Sequence, residues 1–313
     1  MDQVCNAIVS ELQQRHDYLS GQKVETIYFG GGTPSMLGVQ DIETILKTVY
    51  RNFAVVPDAE ITLEANPDDL DPVKLQAFKN TGINRLSIGL QSFRLEDLNF
   101  LSRTHTPEQV IRCIADAQQA GFTNLSIDLI YGIPTLTDEG WIQNLQQAFS
   151  SGIPHISAYS LTVEDKTPLA VMIRKGRTKA VDENLSLSHY HILCRMMQEK
   201  GYEISNFCLP GAYSRHNTAY WQGKSYLGLG PSAHSYNGCS RSWNVANISN
   251  YILSVASGMV ESGTEILSPI TRLNEYIMTT LRTMWGCNLD VFKQEFGQAM
   301  AENLLADAQH FIA

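Results

Sequence analysis

Five short runs rich in aliphatic and β-branched residues, at 24–29, 60–64, 85–90, 123–129 and 155–161, alternate with segments of helical period. A strand that returns to its neighbour through a helix runs parallel to it. The alternation therefore constrains the chain to a parallel sheet wound by right-handed crossovers, a barrel or part of one. The runs also end alike. The first delivers Gly30-Gly31-Gly32-Thr33-Pro34-Ser35; Ile61-Thr62-Leu63 leads to Glu64, Leu86–Leu90 to Gln91, and Leu125-Ser126-Ile127 to Asp128. A glycine cluster, two carboxylates and an amide thus fall at the carboxyl ends of strands, where α/β barrels place ligand chemistry.

Val4, Ile8, Leu12 and Leu19 are near helical spacing, so a helix over 2–19 is expected before the first strand. Further helices are expected at about 40–52, 71–80, 95–101, 107–119 and 139–150. Asp41, Asp71 and Thr106 stand at N-cap positions, the last followed by Pro107. Past about residue 165 the pattern changes. Helices at 167–174 and about 183–200 lead to Tyr202–Phe207, then to a long aromatic, glycine-rich loop from Leu209 to Trp243. A helical tail covers about 272–313; its stripe of Leu273, Tyr276, Ile277, Leu281 and Met284, with Trp285, reads as core packing. Three regions follow: a barrel core at 1–165, an extension with the aromatic segment at 166–265, and a C-terminal helical region at 266–313.

The 23 basic and 32 acidic residues give a net charge of −9, and no basic stripe is interleaved with aromatics, which argues against nucleic acid as a partner. No apolar run approaches the roughly 18 residues of a membrane span, leaving at most a peripheral membrane contact. The start, Met1-Asp2-Gln3-Val4, lacks the pattern of a secretory signal, so a cytoplasmic location is the expectation. The cysteines at 5, 113, 194, 208, 239 and 287 form no Cys-x-x-Cys pair and read as scattered thiols.

Seven segments in order carry a family resemblance: Gly30–Ser35, Glu64-Ala65-Asn66-Pro67, Arg85–Phe93, Asp128–Pro134, Ser157–Leu161, Tyr202–Phe207 and His216-Asn217-Thr218-Ala219-Tyr220-Trp221. Together they resemble the radical S-adenosylmethionine (SAM) superfamily, in the branch holding oxygen-independent coproporphyrinogen III oxidase and the HemW-type heme chaperones. The His216–Trp221 segment marks the chaperone side. The resemblance implies an α/β fold, a partial (βα)6 TIM-like barrel missing its first strand, with a mostly helical C-terminal region. It implies a heme carrier more than a catalyst, with an unidentified heme-accepting protein as partner. The alternative it implies is the oxidase, which decarboxylates coproporphyrinogen III by radical chemistry in porphyrin biosynthesis. The family's Cys-x-x-x-Cys-x-x-Cys motif for a 4Fe-4S cluster is not in this sequence. The expectation is therefore a chain shortened at both ends that does not bind the cluster, though an intact relative would.

By the same matching, Gly31, Gly32 and Thr33 would line the methionine end of SAM, and Glu64, Gln91, Arg103 and Asp128 the same cavity. Read from the residues alone, the competing role for Glu64 and Asp128 is capping the next helix, and for Arg103 a surface ion pair. His216 is the heme candidate, as an imidazole suits axial ligation of iron. Asn217, Tyr220 and Trp221 accompany it, and Tyr213 and Tyr226 offer further apolar wall. The competing reading is a surface histidine in an aromatic loop. His234 is a second candidate and Cys208 a weaker thiolate one. His189 and His191, two apart on a helix, face different sides.

Overall fold

The structure, a computed structural model, describes residues 2–198 and 201–312. It divides into two compact units. The first comprises residues 25–43 and 57–214, the second the residues up to 24, those at 44–56 and those from 215 onward.

The first unit is built on an open sheet of six strands in the order β1 (Val24–Phe29), β2 (Val55–Ala65), β3 (Arg85–Gln91), β4 (Asn124–Tyr131), β5 (His155–Ser160), β6 (Asn206–Cys208). Strands β2 to β5 are parallel, as the alternation requires, and β6 closes antiparallel on β5. The crossovers include α3 (Pro72–Asn80), α4 (Leu95–Phe100), α5 (Pro107–Gln119) and α6 (Asp138–Ser150); α7 (Pro168–Arg174) and α8 (Glu183–Met197) follow β5. Asp71 caps α3 through the Lys74 N–H, and Thr106 forms a capping box with Gln109 on α5. Asp41 is not the N-cap: it is the third residue of α2 (Val39–Asn52), from which it reaches back to accept from the Gly38 N–H.

Both faces of the central strands are largely buried, and it is polarity that alternates along them. Leu86, Ile88, Leu125, Ile127, Leu129, Ile156 and Ala158 form the apolar face. Arg85 and Ser87, Asn124, Ser126 and Asp128, and His155 and Ser157 occupy the other face, in register: Ser87 opposes Ser126, which opposes His155, and Asp128 opposes Ser157. A sheet covered on both faces by apolar groups would read as continuous hydrophobic runs. Here one face is a continuous polar surface. The His155 ring spans Ser126 Oγ (2.7 Å) and Tyr202 Oη (2.8 Å), and Ser157 Oγ donates to Asn206 (2.8 Å). Burial, with the charge of Arg85, pulls His155 well below its ordinary pKa, so the network is uncharged at this ring.

In the second unit, α1 (Asp2–Gln14) packs against α10 (Ile248–Ala256) around Ala7, Tyr251, Val255 and Val260. Glu11 is fully buried there. It accepts from Arg15 (3.2 Å), the Gly230 N–H (3.0 Å), Asn244 (2.8 Å) and Tyr251 Oη (2.6 Å). Strands β7 (His234–Tyr236), β8 (Ser240–Asn244) and β9 (Glu261–Ile266) form an antiparallel sheet. Helices α11 (Pro269–Thr280), α12 (Leu289–Phe296) and α13 (Gln298–Ile312) end the chain, with Tyr276, Phe292 and Phe296 in mutual ring contact.

Several expectations need correction. The opening helix ends at Gln14, and 15–22 runs on in tight turns, with Ser20 and Gly21 at positive φ. The expected end of the helix near 200 lies outside the described residues. The segment 209–243 is not one loop: it holds α9 (Arg215–Trp221), β7 and β8, too short to show a period. The tail stripe is not core, since Leu281 is 66%, Met284 56% and Trp285 44% exposed; buried Phe292 holds that position instead.

Candidate functional site

At the carboxyl end of β1, Tyr28 Oη donates to Glu64 Oε1 (2.7 Å), and the Gly31 N–H donates to Glu64 Oε2 (3.1 Å). Each carboxylate oxygen is thus oriented by one donor and keeps a further lone pair. Burial, then the charge of Glu64, drives the Tyr28 phenol far above its ordinary range, so it stays a donor. Glycine at 30 is a steric necessity: a Cβ there would lie 2.5 Å from the Tyr28 ring and 3.1 Å from Glu64 Oε1. Gly31 and Gly32 hold φ of +77° and +70°, and a Cβ on either would meet open space. The loop therefore leaves its backbone open at Gly31 and Gly32, where both residues are exposed. Glu64 caps no helix; the short turn after it, Pro67–Asp69, begins from Asn66.

Gln91 ends β3 with φ +71°, a strained conformation for a side-chain-bearing residue, next to an irregularity in the β3–β4 register. Its amide lies over Gly89, where a Cβ would come within 2.9 Å of Nε2. Arg103 follows Ser102, whose φ of +55° turns the chain back after α4. Its guanidinium makes a long contact with Asn66 Oδ1 (3.5 Å), and Asp68 and Asp128 act on it through their charge. Among the described residues Arg103 is in no ion pair, which leaves the fork open to a ligand carboxylate.

Asp128 lies within β4 and caps no helix either; Thr137 does that for α6. Burial, reinforced by the charge of Glu64, pushes Asp128 up to about 6 against the hydroxyls of Ser157 and Ser87 and the charge of Arg85. Ser87 Oγ lies 3.5 Å from its Oδ1. An ammonium or hydroxyl ligand would favour the charged form of this carboxylate and draw its pKa back down. Tyr28, Asn66, Ser87 and Ser157 were not among the expected site residues. For Ser87 and Ser157 a signal was present, as polar residues alternating with Leu86, Ile88, Ile156 and Ala158 along their strands; for Tyr28 and Asn66 there was none of that kind.

The aromatic segment forms its own constellation in the second unit. His216 and Tyr220, one turn apart on α9, meet edge to face with centroids at 4.9 Å, and His216 Nε2 is 3.2 Å from Tyr220 Oη. Tyr220 meets Tyr226 at 4.7 Å, and Tyr226 meets Tyr236 at 6.1 Å. Arg241 lies 5.8 Å over Tyr236 and forks onto Glu275 at 2.8 and 2.6 Å. Burial lowers His216 to about 4, so its imidazole is neutral at physiological pH, the form that ligates iron. Asn217 and Trp221 form the adjacent stripe of the same helix. His234 is exposed beside Trp243, at 6.1 Å. Cys208 is buried in β6, its thiol pushed up to about 11 by burial, and is no thiolate ligand. His189 accepts the Gly132 N–H in the interior of the first unit.

Among the described residues no group of three or more His, Cys, Asp or Glu side chains is placed to hold a metal. The groups brought together in the first unit are carboxylates, hydroxyls, a guanidinium and backbone N–H groups, which suit hydrogen bonding to a small polar ligand. No helix among the described residues is long and apolar enough to cross a membrane.

Residues 8–148 match the Radical SAM superfamily model. The heme chaperone HemW of Mycobacterium tuberculosis is 34% identical over 308 residues, 96% of this chain and 79% of that protein. The Bacillus subtilis heme chaperone HemW is 32% identical over 96% of this chain and 80% of its own. Among solved structures, coproporphyrinogen III oxidase (HemN) from Escherichia coli, a radical SAM enzyme, superposes with a TM-score of 0.81. It does so over 98% of this chain and 74% of that one at 23% identity, a likeness of fold.

Proposed function

This chain belongs to the HemW family of heme chaperones within the radical SAM superfamily, and on that premise we propose that it binds heme at α9 and passes it to a heme-accepting protein. The observation that carries the reading is the neutral His216 imidazole at the head of the aromatic series Tyr220, Tyr226 and Tyr236. His216 is the axial ligand, released from Tyr220 as iron takes Nε2. Tyr220 and Trp221 give the porphyrin a flat apolar flank, and Asn217 a polar edge.

In the first unit, Gly31, Gly32 and Thr33 hold the methionine end of SAM, which when bound supplies a sulfonium between an amino acid and an adenosine. Glu64 accepts from ligand N–H or O–H groups with the lone pairs that Tyr28 and Gly31 leave over. Arg103 forks onto the ligand carboxylate, Gln91 fixes a polar edge, and Asp128 accepts a ligand proton donor. The alternative oxidase reading draws on a likeness of fold alone, and no residue here favours it.

A heme titration of the purified chain, followed at the Soret band beside His216→Ala, tests the carrier reading. A saturable one-to-one change that the substitution weakens at least tenfold is expected. No saturable binding by the folded chain, or equal binding by a folded His216→Ala variant, would overturn it.

A further inference from the structure

The acidic turn Pro67–Asp69 lies between two of the ligand-bearing loops and is bonded to both. On one side, Ser35 Oγ, fully buried, donates to Asp69 Oδ2 (2.8 Å), tying the turn to the loop that carries Gly31–Thr33. On the other, Thr104 Oγ1 donates to Asp68 Oδ2, and His105 Nδ1 lies 3.4 Å from Asp68 Oδ1. His105 is itself buried and anchored, since its Nε2 donates to the Leu90 carbonyl (3.0 Å). Burial alone would raise the Asp68 pKa, but the bonds from Thr104, the backbone and His105 hold it below the ordinary range, so the turn stays anionic. Arg103 immediately precedes these contacts, with its N–H bonded back to the Leu98 carbonyl (2.8 Å). Its backbone is therefore fixed from both sides. The Glu64–Asp69 stretch thus reaches three neighbours: Gly31 through Glu64, Ser35 through Asp69, and the Arg103 loop through Asp68.

We propose that Asp68 and Asp69 are positioning residues for the methionine end of the SAM site, Asp68 fixing the loop of Arg103 and Asp69 the glycine loop. The proposal rests on the SAM reading above and adds to it a division of labour. The two aspartates touch no ligand; they set the span between the guanidinium and the glycine backbone, and so recognise a ligand that carries both a carboxylate and an ammonium. A ligand lacking that end has no need of them.

The test measures the Kd of SAM and of 5′-methylthioadenosine, which lacks the amino-acid end, by calorimetry on the full chain and on Asp68→Ala, Asp69→Ala, Arg103→Ala and Asp68→Ala/Arg103→Ala. Each aspartate variant should weaken SAM roughly tenfold, about the worth of one charge-assisted hydrogen bond, while methylthioadenosine changes less than about twofold. Adding Asp68→Ala to Arg103→Ala should cost little more, because the aspartate acts through the arginine. Equal loss of both ligands, or additive losses in the double variant, would overturn the proposal. Amide exchange gives a readout independent of SAM. With the melting temperature unchanged, Asp68→Ala should speed exchange at 102–105 and Asp69→Ala at 31–36. Unchanged exchange in both variants would overturn the positioning role even if SAM binds. Failure of the wild-type chain to bind SAM, with faster exchange in the variants, would sink the SAM reading and leave the tethering intact.

Discussion

Replacing Glu11 with alanine should remove much of the stability of the second unit. Glu11 is 0% and Arg15 9% exposed, and the carboxylate receives four donors from residues at 15, 230, 244 and 251. Taking one partner from a buried ion pair costs about 3–5 kcal/mol, and a backbone N–H left unbonded, as at Gly230, adds about 1–3 kcal/mol. Part of this is recovered as water enters the space, so a loss of about 4 kcal/mol is expected, against a typical total of roughly 5–15 kcal/mol. Glu11→Gln keeps the shape but turns an amide N–H toward one pair of donors, and should lose about half as much. Of the four tryptophans, Trp221, Trp243 and Trp285 belong to the second unit, so urea unfolding followed by tryptophan emission reports mainly on it. A Glu11→Ala midpoint corresponding to less than about 1 kcal/mol of loss would refute the premise that this carboxylate holds the unit together.

The charge of Asp128 should be visible in stability against pH. Its folded pKa, about 6, lies above the ordinary value of 3.8, so its contribution is fully present below pH 3.8 and is lost as pH rises through 6. Asp128→Asn should therefore gain about 1–3 kcal/mol over wild type at pH 7.5 and nothing at pH 3.5, since each tenfold change in a proton-binding constant is worth about 1.36 kcal/mol; an equal effect at both pH values in urea titrations would refute it. Gln91→Gly relieves a positive φ and should hold or raise the melting temperature, by the equivalent of about 1 kcal/mol, while weakening SAM binding. A clear drop in melting temperature would show that the side chain, not the strain, dominates at that position.

The sequence made the first unit legible because its elements are long enough to show their period. Gln91 ends β3 as the alternation puts it and the caps Asp71 and Thr106 stand as expected, but β2 runs one residue past Glu64 and β4 three past Asp128, so Asp128 does not close its strand. Choosing between ligand contact and helix capping for Glu64 was beyond local reading. Its hydrogen-bond partner Tyr28 is 36 residues away and is recognisable only once β1 and β2 are neighbours. Asp68 and Asp69 resemble ordinary solvated loop acids for the same reason. The elements at 215–221, 234–236 and 240–244 were hidden because three to seven residues cannot display a period. Met284 and Trp285 show the opposite failure, in which an apolar stripe is legible but its exposure is not.

The bonds from α1 to Asn244 and Tyr251 set an order on the birth of the molecule. Tyr251 follows Glu11 by 240 residues. At a synthesis rate of roughly 5–20 residues per second, Glu11 leaves the ribosome about 12–48 s before Tyr251. During that interval the first unit, whose residues are complete by 214, can fold. Ala7, Ile8 and Glu11 meanwhile wait without their core. A nascent chain arrested before residue 251 thus carries the six strands β1 to β6 and an unsheltered amphipathic helix, the form in which a cell's folding helpers would first meet it.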